Sequence, residues 1–277
     1  MATNTGGDEA SKEYETLLMP VEFLNNLDSP PAVVQFLNKE NRYVQSEIIE
    51  DVVYDERSGK YQVKENAPYK FQITTSKEGK IGLIVSVILS QMRNELQFGN
   101  VLTYPAIRPN FERMVLATLS DNDSHQFINN LSKYSNELVK RSIHACGLGV
   151  ALAIFLGYEE EPVKAIGLGC LLHEYGYLIN PTRHTSAGAA SLEMTFFKNQ
   201  NKYTNIVLNI IEYHHAVQPH KKPQVNCGKL AIHWCAHASW DTPTRMRAIQ
   251  SRRMLYSEEI YTGFTKLYEL MDARQVN

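Results

Sequence analysis

The 277-residue chain is long enough for one large or two modest domains, and 43% hydrophobic with 21% charged residues is an ordinary soluble globular composition. A formal net charge of -2 supplies no strong field toward nucleic acid or anionic lipid, so neither DNA nor a membrane is expected as a partner. The 4 cysteines form no CxxC pair, which argues against a disulfide framework and for a reducing compartment.

The N-terminal stretch MATNTGGDEASKEYE is polar and acidic, without the basic start or apolar run of a secretory signal, and residues 1–15 read as a mobile tail. Ser29, Pro30 and Pro31 mark a turn or linker, because consecutive prolines exclude regular pairing. Val52-Val53-Tyr54 and Tyr61-Gln62-Val63, joined by the polar 55–60, predict a hairpin. Residues 69–74 alternate as a strand does and end at a turn over 77–80. The apolar run 81–92 fits a buried strand or the start of a helix, and its core, 81–89, is far too short to span a bilayer. No other run is read as coming closer, so a cytoplasmic protein is expected.

After Pro109 the segments lengthen and become helix-like. A helix is expected over 135–156, stopped by Gly157, and another opens at Glu160-Glu161-Pro162, where acidic residues and proline suit a helix start. It runs to His173, and further helices are expected over 185–197, 203–213 and 229–239. Arg245, Arg247, Arg252 and Arg253 read as a solvated helix face, with Ile249, Leu255, Ile260, Phe264 and Leu267 packing inward. Binding of an acidic partner or a phosphate is the alternative use of those arginines. The expected fold is mainly α, with a smaller N-terminal α+β regulatory or interaction domain over 16–115 and a helical domain over 116–277. That boundary rests on composition alone.

All 9 histidines lie between His125 and His237. His144 sits in an apolar helix, a setting in which a lone histidine is more often a hydrogen-bonded core residue than a ligand. His173 and Glu174 end an apolar helix, where a carboxylate is costly unless it is paired or reaches solvent. His184 follows among small residues, and His214-His215 end a further helix. Adjacent helical residues diverge by about 100°, so those two rings are expected to serve different metals, or one of them to serve something else. Imidazole with carboxylate is a donor set for Zn, Fe, Mn or Ni, weighted by the carboxylate toward the harder Fe and Mn. Groups spread over several helices converge only in a bundle.

The order of these pieces, a histidine in a helix, then LLHEYGYLINP, RHTSAGA and IIEYHHA, resembles the HD-domain superfamily of metal-dependent phosphohydrolases. The HD-GYP branch and its regulatory HDOD relatives are the most similar, over about residues 135–241. The family's first ligand matches His144, its LLHDIGK signature matches 171–177, its HxxxGA element starts at His184, and its paired histidines match His214 and His215. The resemblance therefore implies an HD-type helical bundle holding one or two divalent transition metals through His144, His173, Glu174, His184, His214 and His215. The departures are specific. Glu174 stands where the family has Asp, Tyr177 replaces a lysine suited to a substrate phosphate, and no GYP sequence follows His215. The final family aspartate has no clear match; Cys235 or His237 lies near its position, and Asp241 reads as a helix end.

An active member would use metal-activated water on a phosphodiester, cyclic di-GMP being the substrate the resemblance implies. Arg183, Lys221 and Lys222, beside the ligand motifs, are the candidate phosphate contacts. The alternative is a non-catalytic signalling module that binds metal, nucleotide or a protein partner. Missing features favour the second reading and the retained histidines favour the first. The N-terminal region is open to sensory, partner-binding or homodimerisation roles.

Overall fold

The computed structural model describes residues 15–27, 31, 34–45, 49–94, 107–120, 124–195, 197, 203–237 and 241–272. The expected tail over 1–14 and the Ser29-Pro30 part of the expected turn lie outside them. Strand β1 (Glu15–Pro20) carries the buried run Leu17, Leu18 and Met19. It pairs antiparallel with β6 (Lys70–Thr75), Leu17 opposite Ile73 and Met19 opposite Phe71. β2 (Gln35–Leu37) takes the other edge of β6, and β3 (Tyr43–Val44) completes a sheet of order β1-β6-β2-β3. The expected hairpin forms separately from β4 (Val52–Asp55) and β5 (Lys60–Val63), with Val52 opposite Val63. Its turn places Gly59 at φ 65°, which costs a residue without a Cβ little. Asn25 ties the hairpin down, its amide donating to the Val63 carbonyl and its oxygen accepting from the Val63 N–H.

Residues 77–80 are not a turn but the start of helix α1 (Lys77–Asn94). Ser76 causes this: its hydroxyl accepts from Gly79 N–H and its carbonyl from Lys80 N–H, satisfying donors that a helix start leaves bare. The apolar run 81–92 is therefore helix. Then follow α2 (Arg108–Ser120), α3 (Ser124–Tyr134) and α4 (Asn136–Phe155). Ser135 caps α4 by accepting from Leu138 N–H, and Gly157, at φ 76°, ends it as expected.

The remaining helices are α5 (Glu160–Leu172), α6 (His184–Thr195), α7 (Thr204–Tyr213), α8 (Pro223–Cys235), α9 (Thr242–Ser251) and α10 (Glu258–Asp272). The described residues are thus mainly helical, with a small strand region near the N-terminus. Helix α4 is central, packed by α1, α2, α3, α5, α8 and α10. By length and composition it is long and apolar enough to cross a bilayer, against the expectation that no run comes closer than 81–89, yet 78% of its apolar window is buried inside the fold. One continuous core runs from Leu17 to Leu267, so sheet and helices share buried surface. Cys146 on α4, Cys170 on α5 and Cys227 and Cys235 on α8 are free thiols buried in it.

Three further expectations change. Helix α8 starts six positions earlier than expected, with Pro223 in its first turn, where a missing N–H is harmless. Asp241 does not end a helix but caps α9, its carboxylate accepting from Thr244 N–H at 2.8 Å. Arg245 leaves the solvated face assigned to it: it is buried, with its guanidinium 5.7 Å from the Trp234 ring centre. Ile249, Ile260, Phe264 and Leu267 do pack inward.

Helix α7 is seated by a single side chain. Ile210 lies between Gly169 of α5 and Gly228 of α8; a Cβ at either would come within 2.9 and 2.7 Å of its Cδ1. Gly228→Ala should lower stability by about 1–3 kcal/mol through overpacking. Ile210→Ala should cost about 2–5 kcal/mol through the cavity it leaves. In urea unfolding the double variant should lose less than the sum of the two, because the smaller side chain makes room for the added methyl. Strict additivity would mean that these groups do not meet as described.

Candidate metal centre

The candidate ligands sit where helices stop or start. His173 and Glu174 follow the last residue of α5, His184 opens α6, and His214 and His215 follow the last residue of α7. A helix end leaves carbonyls unpaired, and the histidines use them. His173 Nδ1 lies 2.7 Å from the Cys170 carbonyl and His214 Nδ1 lies 2.8 Å from the Ile211 carbonyl, each three residues back. A carbonyl only accepts, so Nδ1 of His173 and His214 carries the proton and Nε2 offers a lone pair. Metal-ligating histidines are oriented in this way.

The rings converge. His184 Nε2 and His214 Nε2 are 3.3 Å apart, and ligand atoms of His184, His214 and His215 all lie within 4.8 Å of one another. Two nitrogens each about 2.1 Å from one ion at a tetrahedral angle stand about 3.4 Å apart, so the spacing suits a shared ion. His173 adjoins the group, its ring centre 5.2 Å from that of His214 and its Nε2 3.4 Å from Glu174 Oε1. His214 and His215, expected to diverge, have ring centres 4.1 Å apart and both face His184. They do so although His214 keeps helical backbone angles, φ -63° and ψ -24°. His144 is buried on α4 and stands outside the three-residue group.

Close backbone approach makes the convergence achievable. A Cβ at Gly176 would fall 1.7 Å from the His184 carbonyl oxygen, so only glycine lets the turn after Glu174 touch the start of α6. The Tyr177 ring then stacks on His184 at 4.2 Å between centres. Burial, with repulsion from neighbouring rings, pushes His214 well below the ordinary imidazole value and lowers His184 and His215. Burial alone would raise the Glu174 carboxyl; His173, through its hydrogen bond and charge, with His184 and Arg141, outweighs it and holds Glu174 below its usual range. Neutral imidazoles beside an ionised carboxylate are a donor set that fits a divalent transition metal.

Other sequence candidates fall elsewhere. Cys235 is buried in the core, and His237 Nε2 faces Arg252 Nη1 at 3.3 Å; neither belongs to the group. Arg183, Lys221 and Lys222 are exposed, and the two lysines act on His220 instead. The cation whose charge reaches Glu174 and Tyr177 is Arg141, on α4, three residues before His144.

Lys229 and His233 also went unnoticed in the sequence. Four residues apart on α8, they share a face. The buried Lys229 ammonium donates to the Ala216 carbonyl and, at 3.0 Å, to the Gln218 carbonyl. His233 Nε2 lies 2.8 Å from the His214 carbonyl and its Nδ1 lies 2.7 Å from the Tyr256 hydroxyl. Together they grip the turn that carries the paired histidines. The signal was a lysine and a histidine one turn apart in an otherwise apolar helix.

Burial pushes Lys229 down to about 8 from an ordinary 10.5. Between those values the unfolded chain keeps a proton that the folded chain has released, so stability rises with pH across that window. Below about 8 the cost of the buried charge is present in full. Urea midpoints of the wild type should therefore climb from pH 8 to pH 10 relative to those of Lys229→Met. Parallel profiles would refute the assignment.

No protein-family model, curated protein or solved structure matches this chain.

Proposed function

We propose that the chain is a metal-dependent phosphohydrolase of the HD type, acting on a phosphodiester such as a cyclic dinucleotide. The observation that carries this is the convergence of His184, His214 and His215 beside His173 and the buried Glu174, with the His173 and His214 rings aimed by carbonyls three residues back. The ion would be held by the three-histidine group, with His173 and Glu174 adjoining; a carboxylate in the set favours Fe or Mn over Zn or Ni. When bound, such an ion lowers the pKa of a water molecule at the site and screens the phosphodiester's negative charge. The protein's own part is orientation and charge. Tyr177, stacked on His184, fixes that ring, and Arg141 supplies positive charge on the Glu174 side.

A second reading, a non-catalytic module that binds metal or nucleotide, is favoured by one observation. Tyr177 stacks on His184 at the position where the HD-GYP signature has a lysine, and the neighbouring Arg183, Lys221 and Lys222 are exposed.

Elemental analysis of the purified protein, with hydrolysis of bis(p-nitrophenyl) phosphate and cyclic di-GMP, tests both. Outer partners of a metal site alone are worth about 10- to 100-fold in affinity, so His214→Ala should lose metal and hydrolysis by about 100-fold or more. Bound metal with retained nucleotide binding and no hydrolysis supports the second reading. A protein that neither contains nor takes up a transition metal sinks the first reading, and one that in addition binds no nucleotide sinks both.

A further inference from the structure

Asn226, Lys229 and His233, buried polar residues of α8, stand three and four positions apart and so share one face. All three reach the same target. Asn226 donates from Nδ2 to the His220 carbonyl at 2.7 Å and accepts from the His220 N–H at 2.8 Å. Lys229 takes the Ala216 and Gln218 carbonyls, and His233 that of His214. The turn after α7 is thus fastened at every second residue from His214 to His220. Buried polar groups hold a fold together less cheaply than apolar packing does, so a stripe of them aimed at one turn serves its placement more than its stability.

His233 differs from the other two in needing a partner of its own. The His214 carbonyl only accepts, so His233 Nε2 carries the proton; burial keeps the ring neutral, so Nδ1 must accept. The Tyr256 hydroxyl meets that need, donating to Nδ1 at 2.7 Å. Tyr256 is 4% exposed and lies in extended backbone between the short helical turn Arg253–Leu255 and α10. Its surroundings are fixed on two sides. Its N–H donates to the Arg253 carbonyl at 3.1 Å, and Phe264 and Tyr268 of α10 set their rings against Trp234, the residue after His233. A line of hydrogen bonds therefore runs from the Tyr256 hydroxyl through the His233 ring to the His214 carbonyl. His214 Nδ1 is held separately, 2.8 Å from the Ile211 carbonyl, and its Nε2 stands 3.3 Å from that of His184.

We propose that Tyr256 is a positioning residue of the metal centre, setting the His214-His215 backbone by way of His233. The inference rests on the metal-binding reading of the histidine cluster, and it adds the segment leading into α10 to the parts that the centre requires. Without the hydroxyl, the buried Nδ1 of His233 loses its donor, and the ring can turn or adopt its other tautomer. That tautomer presents a lone pair to the His214 carbonyl, so two acceptors face each other and the turn shifts.

Cobalt(II) is the probe, because its visible absorption reports how its ligands are arranged. It is titrated into the full-length chain, freed of metal by a chelator, with affinity read by competition against a chelating dye. Tyr256→Phe should weaken binding about tenfold, the lower end of what outer partners of a metal site contribute, and should alter the spectrum of the bound ion. His233→Leu should do the same, whereas His233→Gln, whose amide holds both a donor and an acceptor, should recover most of the affinity. Adding Tyr256→Phe to His233→Leu should cost nothing further, because the hydroxyl acts only through that ring. Ile260→Val trims the buried core on α10 without touching the hydrogen-bonded line, and should leave affinity and spectrum as in the wild type. Circular dichroism checks that each variant is folded; should His233→Leu not fold, the affinity and spectrum of Tyr256→Phe decide. Wild-type affinity and spectrum in Tyr256→Phe, or a further loss in the double variant, overturns the inference and leaves the metal reading standing. A wild type that takes up no cobalt overturns the metal reading and the inference with it.

Discussion

The backbone carbonyl groups of the turn that follows α7 are the constraint on which the rest of the site depends. A helix C-terminus carries partial negative charge and unpaired acceptors, and burying them is costly. Here α8 supplies the donors. Lys229 takes the Ala216 and Gln218 carbonyls and His233 takes that of His214. Gly228, one residue before Lys229, admits Ile210 of α7, so steric seating and polar capture act at the same crossing. Without that grip the paired histidines would ride on a free loop; with it they are fixed relative to α8 and, through α8, to the central α4.

The same economy recurs at two of the ligands. The His173 and His214 imidazoles each use a carbonyl three residues back, so the chain's own helix ends orient the rings and no separate carboxylate is spent on them. Glu174 is thereby left to face the cluster. Its proximity to His173 and to the Arg141 charge keeps an acid ionised where burial would otherwise neutralise it.

Much of this was legible in local chemistry. The hairpin followed from alternation around a polar turn, the limits of α4 from Ser135 and Gly157, and the grouping of His184, His214 and His215 from motif order. What stayed hidden depends on contacts between distant residues. Lys77-Glu78-Gly79-Lys80 has turn composition, and only the bonds to Ser76 reveal a helix start. Arg245 reads as surface until Trp234 is found beneath it. Arg141 looks like any basic residue on a helix until α5 brings Glu174 toward it. That the His214 and His215 rings both face His184 depends on side-chain placement, which residue spacing does not give.

The buried cysteines have a use unrelated to chemistry at the site. Cys146, Cys170, Cys227 and Cys235 lie where α4, α5 and α8 meet, and desolvation lifts the Cys146 thiol to about 12 and Cys170 well above the ordinary value. A thiol in that state does not react, since the thiolate is the nucleophile. Alkylation can then proceed only as fast as the central helices separate, so the rate at which a thiol reagent is consumed times the opening of the core itself. The molecule carries its own stopwatch for unfolding, placed in the layer on which the histidine cluster is built.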